Sequence, residues 1–164
     1  MNATKSHDAR IKTLIVHSDI ACRAQRVFEV VADVEHCVGR LPAIKSIEIV
    51  SDARHGLGMR WRETRTLFGR DATATLEITE FRPPLEYVVA SEEGGFTYRT
   101  VIRVIATGSD TYRLEREFFT TAHTIIARVM GMTLMPLMTR MMVGLLQEEL
   151  DALKSYCEKS STRA

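Results

Sequence analysis

Hydrophobic and polar positions change period along this chain in a definite order. Thr13 to Ile20 alternates, with Leu14, Ile15, Val16 and Ile20 as apolar positions, and predicts a first strand. Ala24 to Ala32 carries Val27, Phe28, Val30 and Val31 at helical spacing and predicts a helix. Asp33 ends it, and Val34 to Leu41 predicts a second short helix or turn, stopped by Pro42. Six further strands follow: Ile44–Ser51, Met59–Leu67, Ala72–Phe81, Tyr87–Ser91, Phe96–Ala106 and Thr111–Thr120. Turn residues separate them, among them Gly56-Leu57-Gly58, Phe68-Gly69-Arg70-Asp71, Pro83-Pro84, Gly94-Gly95 and Gly108-Ser109-Asp110. Loops this short join antiparallel neighbours, so the pattern predicts a meander.

The rest of the chain reads as helical. Gly131 and Pro136 interrupt the period, which predicts a short helix near Ala122–Met130, a kink or break, and a main helix from about Pro136 to Glu158. Met138, Met142, Leu145 or Leu146, Glu149, Leu153 and Tyr156 fall along one stripe, flanked by Leu150 and Cys157. A strand meander around one terminal helix leaves room for a cavity between them.

Alternation assigns the strand faces. Trp61 and Leu67 mark one side of the third strand as inward, and Met59, Glu63 and Arg65 come in with them. Ala72, Ala74, Leu76 and Ile78 face in from the fourth, where small alanines leave volume that a packed core would fill with Val or Leu. Phe96, Tyr98, Thr100, Ile102 and Val104 face in from the sixth, and Tyr112, Leu114, Arg116 and Phe118 from the seventh. This inner surface is mostly apolar yet holds Glu63, Arg65, Tyr98, Thr100 and Arg116. Unpaired buried charges cost several kcal/mol each, so these groups are paired, solvated or opposite a ligand. Two readings stay open: a structural Glu63–Arg pair near the sheet rim, and a polar end to an apolar small-molecule pocket.

Composition narrows the classes. The chain has 164 residues, 45% of them hydrophobic, which predicts a single domain spanning 1–164 with its core over about 13–158. The formal net charge is +1 and no basic stripe occurs, so nucleic acid is not an expected partner. The polar start Met1 to Arg10 lacks an apolar signal core, and Cys22, Cys37 and Cys157 fit neither a disulfide framework nor a CxxC site. Reduced thiols and a cytoplasmic location are expected. Ile125 to Leu146 is apolar, but Arg128, Pro136 and Arg140 argue against stable membrane insertion, since a central arginine costs about 2.5–3.5 kcal/mol there.

No metalloprotease, serine-hydrolase, P-loop or dinucleotide motif is present. None of the five histidines has metal-ligand spacing, so neither a metal nor another cofactor is expected. His36 and Cys37 are adjacent and point apart, which argues against an activated thiol. His123 follows the last strand and is a candidate for the pocket mouth. Six of the eight methionines lie between Met130 and Met142. They suit flexible core packing, an adaptable wall for a hydrophobic ligand, or an exposed patch for homodimerisation, to which Phe119 would add.

The segment Ile20-Ala21-Cys22-Arg23-Ala24-Gln25-Arg26-Val27-Phe28-Glu29-Val30-Val31-Ala32-Asp33 resembles the opening of START-like proteins, the polyketide cyclase/dehydrase and lipid-transport group, with Arg23 where proline is usual. Leu41-Pro42-Ala43-Ile44-Lys45, Gly56-Leu57-Gly58-Met59-Arg60-Trp61, Ile78-Thr79-Glu80-Phe81-Arg82-Pro83-Pro84 and Leu150-Asp151-Ala152-Leu153-Lys154 are similar to later segments of that group, in order. The resemblance implies an α+β helix-grip fold: a curved seven-stranded antiparallel sheet around a long C-terminal helix, with two short helices after the first strand. It does not imply one function.

These readings converge on binding or transport of a small hydrophobic or aromatic ligand, of lipid, quinone or polyketide type. Expected ligand-contacting residues are Trp61, Glu63, Arg65, Ala74, Leu76, Tyr98, Thr100, Arg116, Phe118, His123, Met138 and Met142. A cyclase- or dehydratase-like enzyme drawing acid–base groups from Glu63, Arg65, Tyr98, Arg116 and His123 is the alternative, so catalysis stays open. An interaction module using the Met-rich helix is the third.

Overall fold

A computed structural model of the chain describes residues 9–67 and 69–161, with side chains described for 13–67, 69–124, 129 and 139–159. Strand β1 (Ala9–Ile20) leads into helix α1 (Ala24–Ala32) and one turn of 3₁₀ helix (Val34–His36). Then come β2 (Ile44–Ile49), β3 (Arg60–Leu67), β4 (Arg70–Arg82), β5 (Glu86–Glu93), β6 (Phe96–Ala106) and β7 (Tyr112–Ala122). Helix α2 (Ile125–Ser161) closes the chain.

All seven strands form one antiparallel sheet in the order β1-β7-β6-β5-β4-β3-β2. The meander predicted from the turn residues is present, and β1 returns to pair with β7. That leaves β1 and β2, consecutive in sequence, at opposite edges. The segment holding α1 and the 3₁₀ turn carries the chain between those edges. Its apolar face (Val27, Phe28, Val30, Val31) is buried, as its helical spacing predicts.

Register breaks between Arg10 and Lys12, Ile44 and Ser46, and Ile78 and Glu80 bend the sheet, because an extra residue on one strand increases local coiling. The third break also resets the alternation. Ile78 is buried, and beyond the bulge Phe81 turns inward to meet Phe28 at 5.5 Å and Tyr87 at 6.4 Å between ring centroids.

Helix α2 crosses the concave face. Leu146, Glu149, Leu150, Leu153 and Cys157 are its buried stripe. Tyr156, expected on that stripe, is 39% exposed instead, with the Arg40 guanidinium 4.6 Å over its ring. Of the predicted kink or break, the break does not occur: α2 is continuous through Gly131 and Pro136. Proline's fixed φ near −65° is itself a helical value, so one forfeited hydrogen bond in a long helix does not end it. Val16, Ile20, Val104 and Leu114 complete the packing under the C-terminal half of α2.

Leu150 has no exposed surface, so Leu150→Ala should cost about 2–5 kcal/mol in urea unfolding. Ile15, 55% exposed on the outer side of β1, should tolerate Ser within about 0.5 kcal/mol in the same assay.

Candidate ligand-binding site

Between the concave face and α2 lies a cavity of about 810 Å³. Its inner end is walled by Val31, Val34, Cys37 and Leu41 from the crossover, with Trp61, Tyr87, Ile102 and Leu153. Its outer end lies by the β3–β4 and β5–β6 hairpins, marked by Leu67, Asp71, Glu93 and Phe96. Thr139 and Met142 of α2 lie along its length.

The sequence-predicted faces place ten of the expected residues on this lining: Trp61, Glu63, Arg65, Ala74, Leu76, Tyr98, Thr100, Arg116, Phe118 and Met142. Cross-strand pairing explains the convergence: Trp61 sits opposite Leu76, Glu63 opposite Ala74, and Thr100 opposite Phe118. The alanine opposite Glu63 leaves space that a larger side chain would occupy. His123 is a correction. It is exposed, and its Nε2 lies 2.6 Å from Thr97 Oγ1 on the outer face. Thr97, Thr121 and His123 share that face because side chains alternate, while Thr120 and Ala122 turn inward. The Met138 side chain lies outside the described residues.

The charges inside the cavity meet one another. Arg65 donates from Nε to Glu63 Oε1 at 2.6 Å and from Nη1 to Glu149 Oε1 at 3.0 Å. Arg116 donates from Nη1 to Glu149 Oε2 at 2.5 Å. Trp61 Nε1 donates to the remaining Glu63 oxygen at 3.2 Å. Burial acts to lower the Arg65 pKa, but the adjacent Glu149 and Glu63 outweigh it and raise it. Glu149 completes this set yet was not among the expected site residues. Its signal was its place on the apolar stripe of the last helix, where a fully buried glutamate demands a cationic partner.

Three further lining groups add polarity. The Tyr87 hydroxyl donates to the Val31 carbonyl at 2.6 Å and ties β5 to α1; burial pushes its pKa up. Cys37 Sγ donates to the Asp33 carbonyl at 3.3 Å, and burial pushes the thiol up to about 11. Tyr98 is half-buried and its pKa is raised by burial and by Glu93. Its ring stacks between Phe96 and Phe118, with centroids 6.0 and 5.9 Å away. Among the described residues no cluster of three or more His, Cys, Asp or Glu side chains is placed to hold a metal ion. No helix among them is long and apolar enough to cross a membrane. All three cysteines are buried.

A curved antiparallel sheet gripping a terminal helix around such a cavity is the architecture the opening motifs implied. The family model for polyketide cyclase / dehydrase and lipid transport matches residues 13–158. The chain belongs to this family. No curated protein matches the chain. Among solved structures, this family member is similar to an aromatase/cyclase from a Streptomyces species, R1128, at 17% identity and a TM-score of 0.71, covering 90% of this chain and 94% of that one. It is similar to a START superfamily protein from Mycobacterium smegmatis at 14% identity and a TM-score of 0.72, covering 90% and 97%. A norcoclaurine synthase point mutant from Thalictrum flavum, in complex with a transition-state analogue, aligns at 19% identity and a TM-score of 0.73, covering 92% and 96%. At these identities the likeness is one of fold, and the fold is shared by proteins of different activity.

Two outcomes follow from the buried charges. Glu149→Gln leaves two guanidiniums facing an amide and should destabilise the protein by about 3–5 kcal/mol. Glu48→Gln, which breaks an exposed pair with Arg62, should cost less than about 1 kcal/mol in the same denaturant titration. Cys37, with its thiol pushed up to about 11, stays protonated near neutral pH. Iodoacetamide at pH 8 should therefore modify it slowly in the native protein and quickly in denaturant, as read by peptide mass mapping.

Proposed function

We propose that this protein binds a small hydrophobic or aromatic ligand between sheet and helix and acts as a carrier or receptor for it rather than as a catalyst. The observation that carries the reading is the cavity of about 810 Å³, within the range of small-molecule sites and lined mainly by apolar and aromatic side chains. The family and its structural neighbours support a hydrophobic-ligand or cyclase-type cavity, and the lining chemistry favours the former.

Acid–base catalysis needs a group free to approach a substrate proton within about 2.6–3.2 Å. Both oxygens of Glu63 and both of Glu149 already accept a hydrogen bond from Trp61, Arg65 or Arg116. Cys37 is held as a thiol, and His123 is on the other face of the sheet. Tyr98 and Glu93 are the titratable lining groups with no side-chain hydrogen bond to the protein among the described residues, so a cyclase-type reading would rest on them. Exposed Val129, Met141 and Val143 on α2 are the basis for the interaction-module reading, which has no comparable enclosed volume behind it.

The neutral fluorophore 1-aminoanthracene tests the proposal. It should bind one to one, with a rise in its emission and a change in Trp61 fluorescence. Ala74→Phe fills the space opposite Glu63 and should lower that affinity about tenfold or more. A cavity site absorbs the added ring, so the melting temperature should fall by no more than about 4 °C, where overpacking a filled core would cost about 1–3 kcal/mol. Failure of the wild-type protein to take up the probe overturns the proposal, as does a large loss of stability with unchanged uptake.

A further inference from the structure

The sheet is parted along one of its inner junctions. The β4–β5 ladder ends at Glu77 opposite Ala90. Beyond that point β4 runs on to Arg70 paired with β3, and β5 runs on to Glu93 paired with β6. Among the described residues no backbone pairing joins 70–76 to 91–93. The register break between Ile78 and Glu80 lies beside the point of separation, and a bulge bends its strand and can end pairing. The β3–β4 and β5–β6 hairpins therefore diverge, leaving a seam between two unpaired strand edges.

Side-chain direction indicates that the cavity reaches into this seam. Thr73 faces the convex side: it sits opposite Thr64, and the two hydroxyls meet at 2.8 Å on the exposed surface. Ala90 faces that side too, opposite Arg99, whose guanidinium reaches Glu80 at 2.9 Å. Both nevertheless line the cavity, together with the inward-facing Ala72, Ala74, Ser91 and Glu93. A mid-strand residue of the outer face borders an inner cavity where the sheet is parted. Ala72 agrees, since it points inward opposite Arg65 and is still exposed. Thr73, Thr75, Glu92 and Glu93 are exposed as well, so water can satisfy the backbone groups that the seam leaves unpaired. Paired strands lie about 4.8 Å apart, too close for a ring to pass, whereas the seam has no ladder to break. Its borders Ala72, Thr73, Ala74, Ala90 and Ser91 are all small.

We infer that ligands enter and leave the cavity through the seam between β4 and β5, with Thr73 and Ala90 at its threshold. The inference rests on the proposed ligand-binding role and specifies how that site is reached and which residues set its exchange rates. Closing the seam from outside changes exchange and not affinity, because the outward side chains next to the threshold do not touch the cavity.

Thr75 and Glu92 are such side chains. Continued past Glu77 and Ala90, the register sets one against the other, and neither lies on the lining. Thr75→Cys combined with Glu92→Cys, treated with bismaleimidoethane, bridges the seam. The same protein capped with N-ethylmaleimide is the control, and intact mass verifies that the three buried native cysteines are unmodified. Stopped-flow fluorescence of 1-aminoanthracene reads the rates. Bridging should slow uptake and release at least about tenfold, with Kd within about threefold of the capped protein. Ala90→Trp narrows the threshold without a cross-link and should slow both rates at least about threefold in a protein of unchanged melting temperature. A bridged protein that exchanges as fast as the capped one overturns the inference, as does Ala90→Trp at wild-type rates. Weakened affinity with an unchanged release rate overturns it too, since the bridge then acts on the site and not on its entrance. In each of these cases the wild type still binds the probe and the ligand-binding role stands. If the wild type takes up no 1-aminoanthracene, the role and the inference fall together.

Discussion

The structure depends on one buried carboxylate. Glu149 sits on the helix with no exposed surface and accepts from Arg65 on β3 and Arg116 on β7. These strands lie on opposite flanks of the sheet, with β4, β5 and β6 between them. A single side chain therefore spans the concavity and binds both walls to the helix. Burying this group of charges has a desolvation cost of several kcal/mol per ion, which mutual pairing offsets only when the geometry is good. Its consequence is positional: the helix cannot slide or rotate without stranding an arginine.

That constraint keeps the cavity open. An apolar helix face against an apolar sheet would gain by collapsing onto it, as closely packed interiors do. Here the bridge fixes the helix at a stand-off set by two arginine side chains. Small residues on the neighbouring strand β4, Ala72 and Ala74 opposite Arg65 and Glu63, do not fill the space beneath. Closing one end is the work of α1 and the 3₁₀ turn, held by the Tyr87 hydroxyl on the Val31 carbonyl. The outer end stays between two hairpins.

Polarity in the cavity is thus of two kinds. Glu63, Glu149 and Arg65 are spent on one another and on Trp61 and Arg116, and so serve architecture. The Tyr98 and Thr100 hydroxyls and the Glu93 carboxylate on the lining make no hydrogen bond to another side chain among the described residues. The sheet's convex side carries charge of a different character: Arg103 reaches Glu86 at 2.7 Å and Glu117 at 2.8 Å in a half-exposed network that stabilises the surface without enclosing anything. The same residue types do different work because solvent screens one set and not the other.

The order of elements was legible because it rests on local chemistry. Period-2 alternation told which side chains of β3, β4, β6 and β7 share a face, and glycine- and proline-marked turns made the meander antiparallel. From that came nine of the residues now found on the lining, and the helical stripe added Met142. What alternation does not encode is phase across an irregularity and distance in space. His123 was misplaced because the alternation of β7 was not followed one residue past its end, and of the predicted kink or break in the last helix the break does not occur. Glu149 was visible as a polar residue on an apolar stripe, but its partners lie 84 and 33 residues away in the chain. Only the curvature of the sheet brings both arginines to it. Sequence determined the faces, because side-chain direction is set by neighbouring backbone geometry. Tertiary structure decided which charges pair, because that depends on three elements meeting at one point.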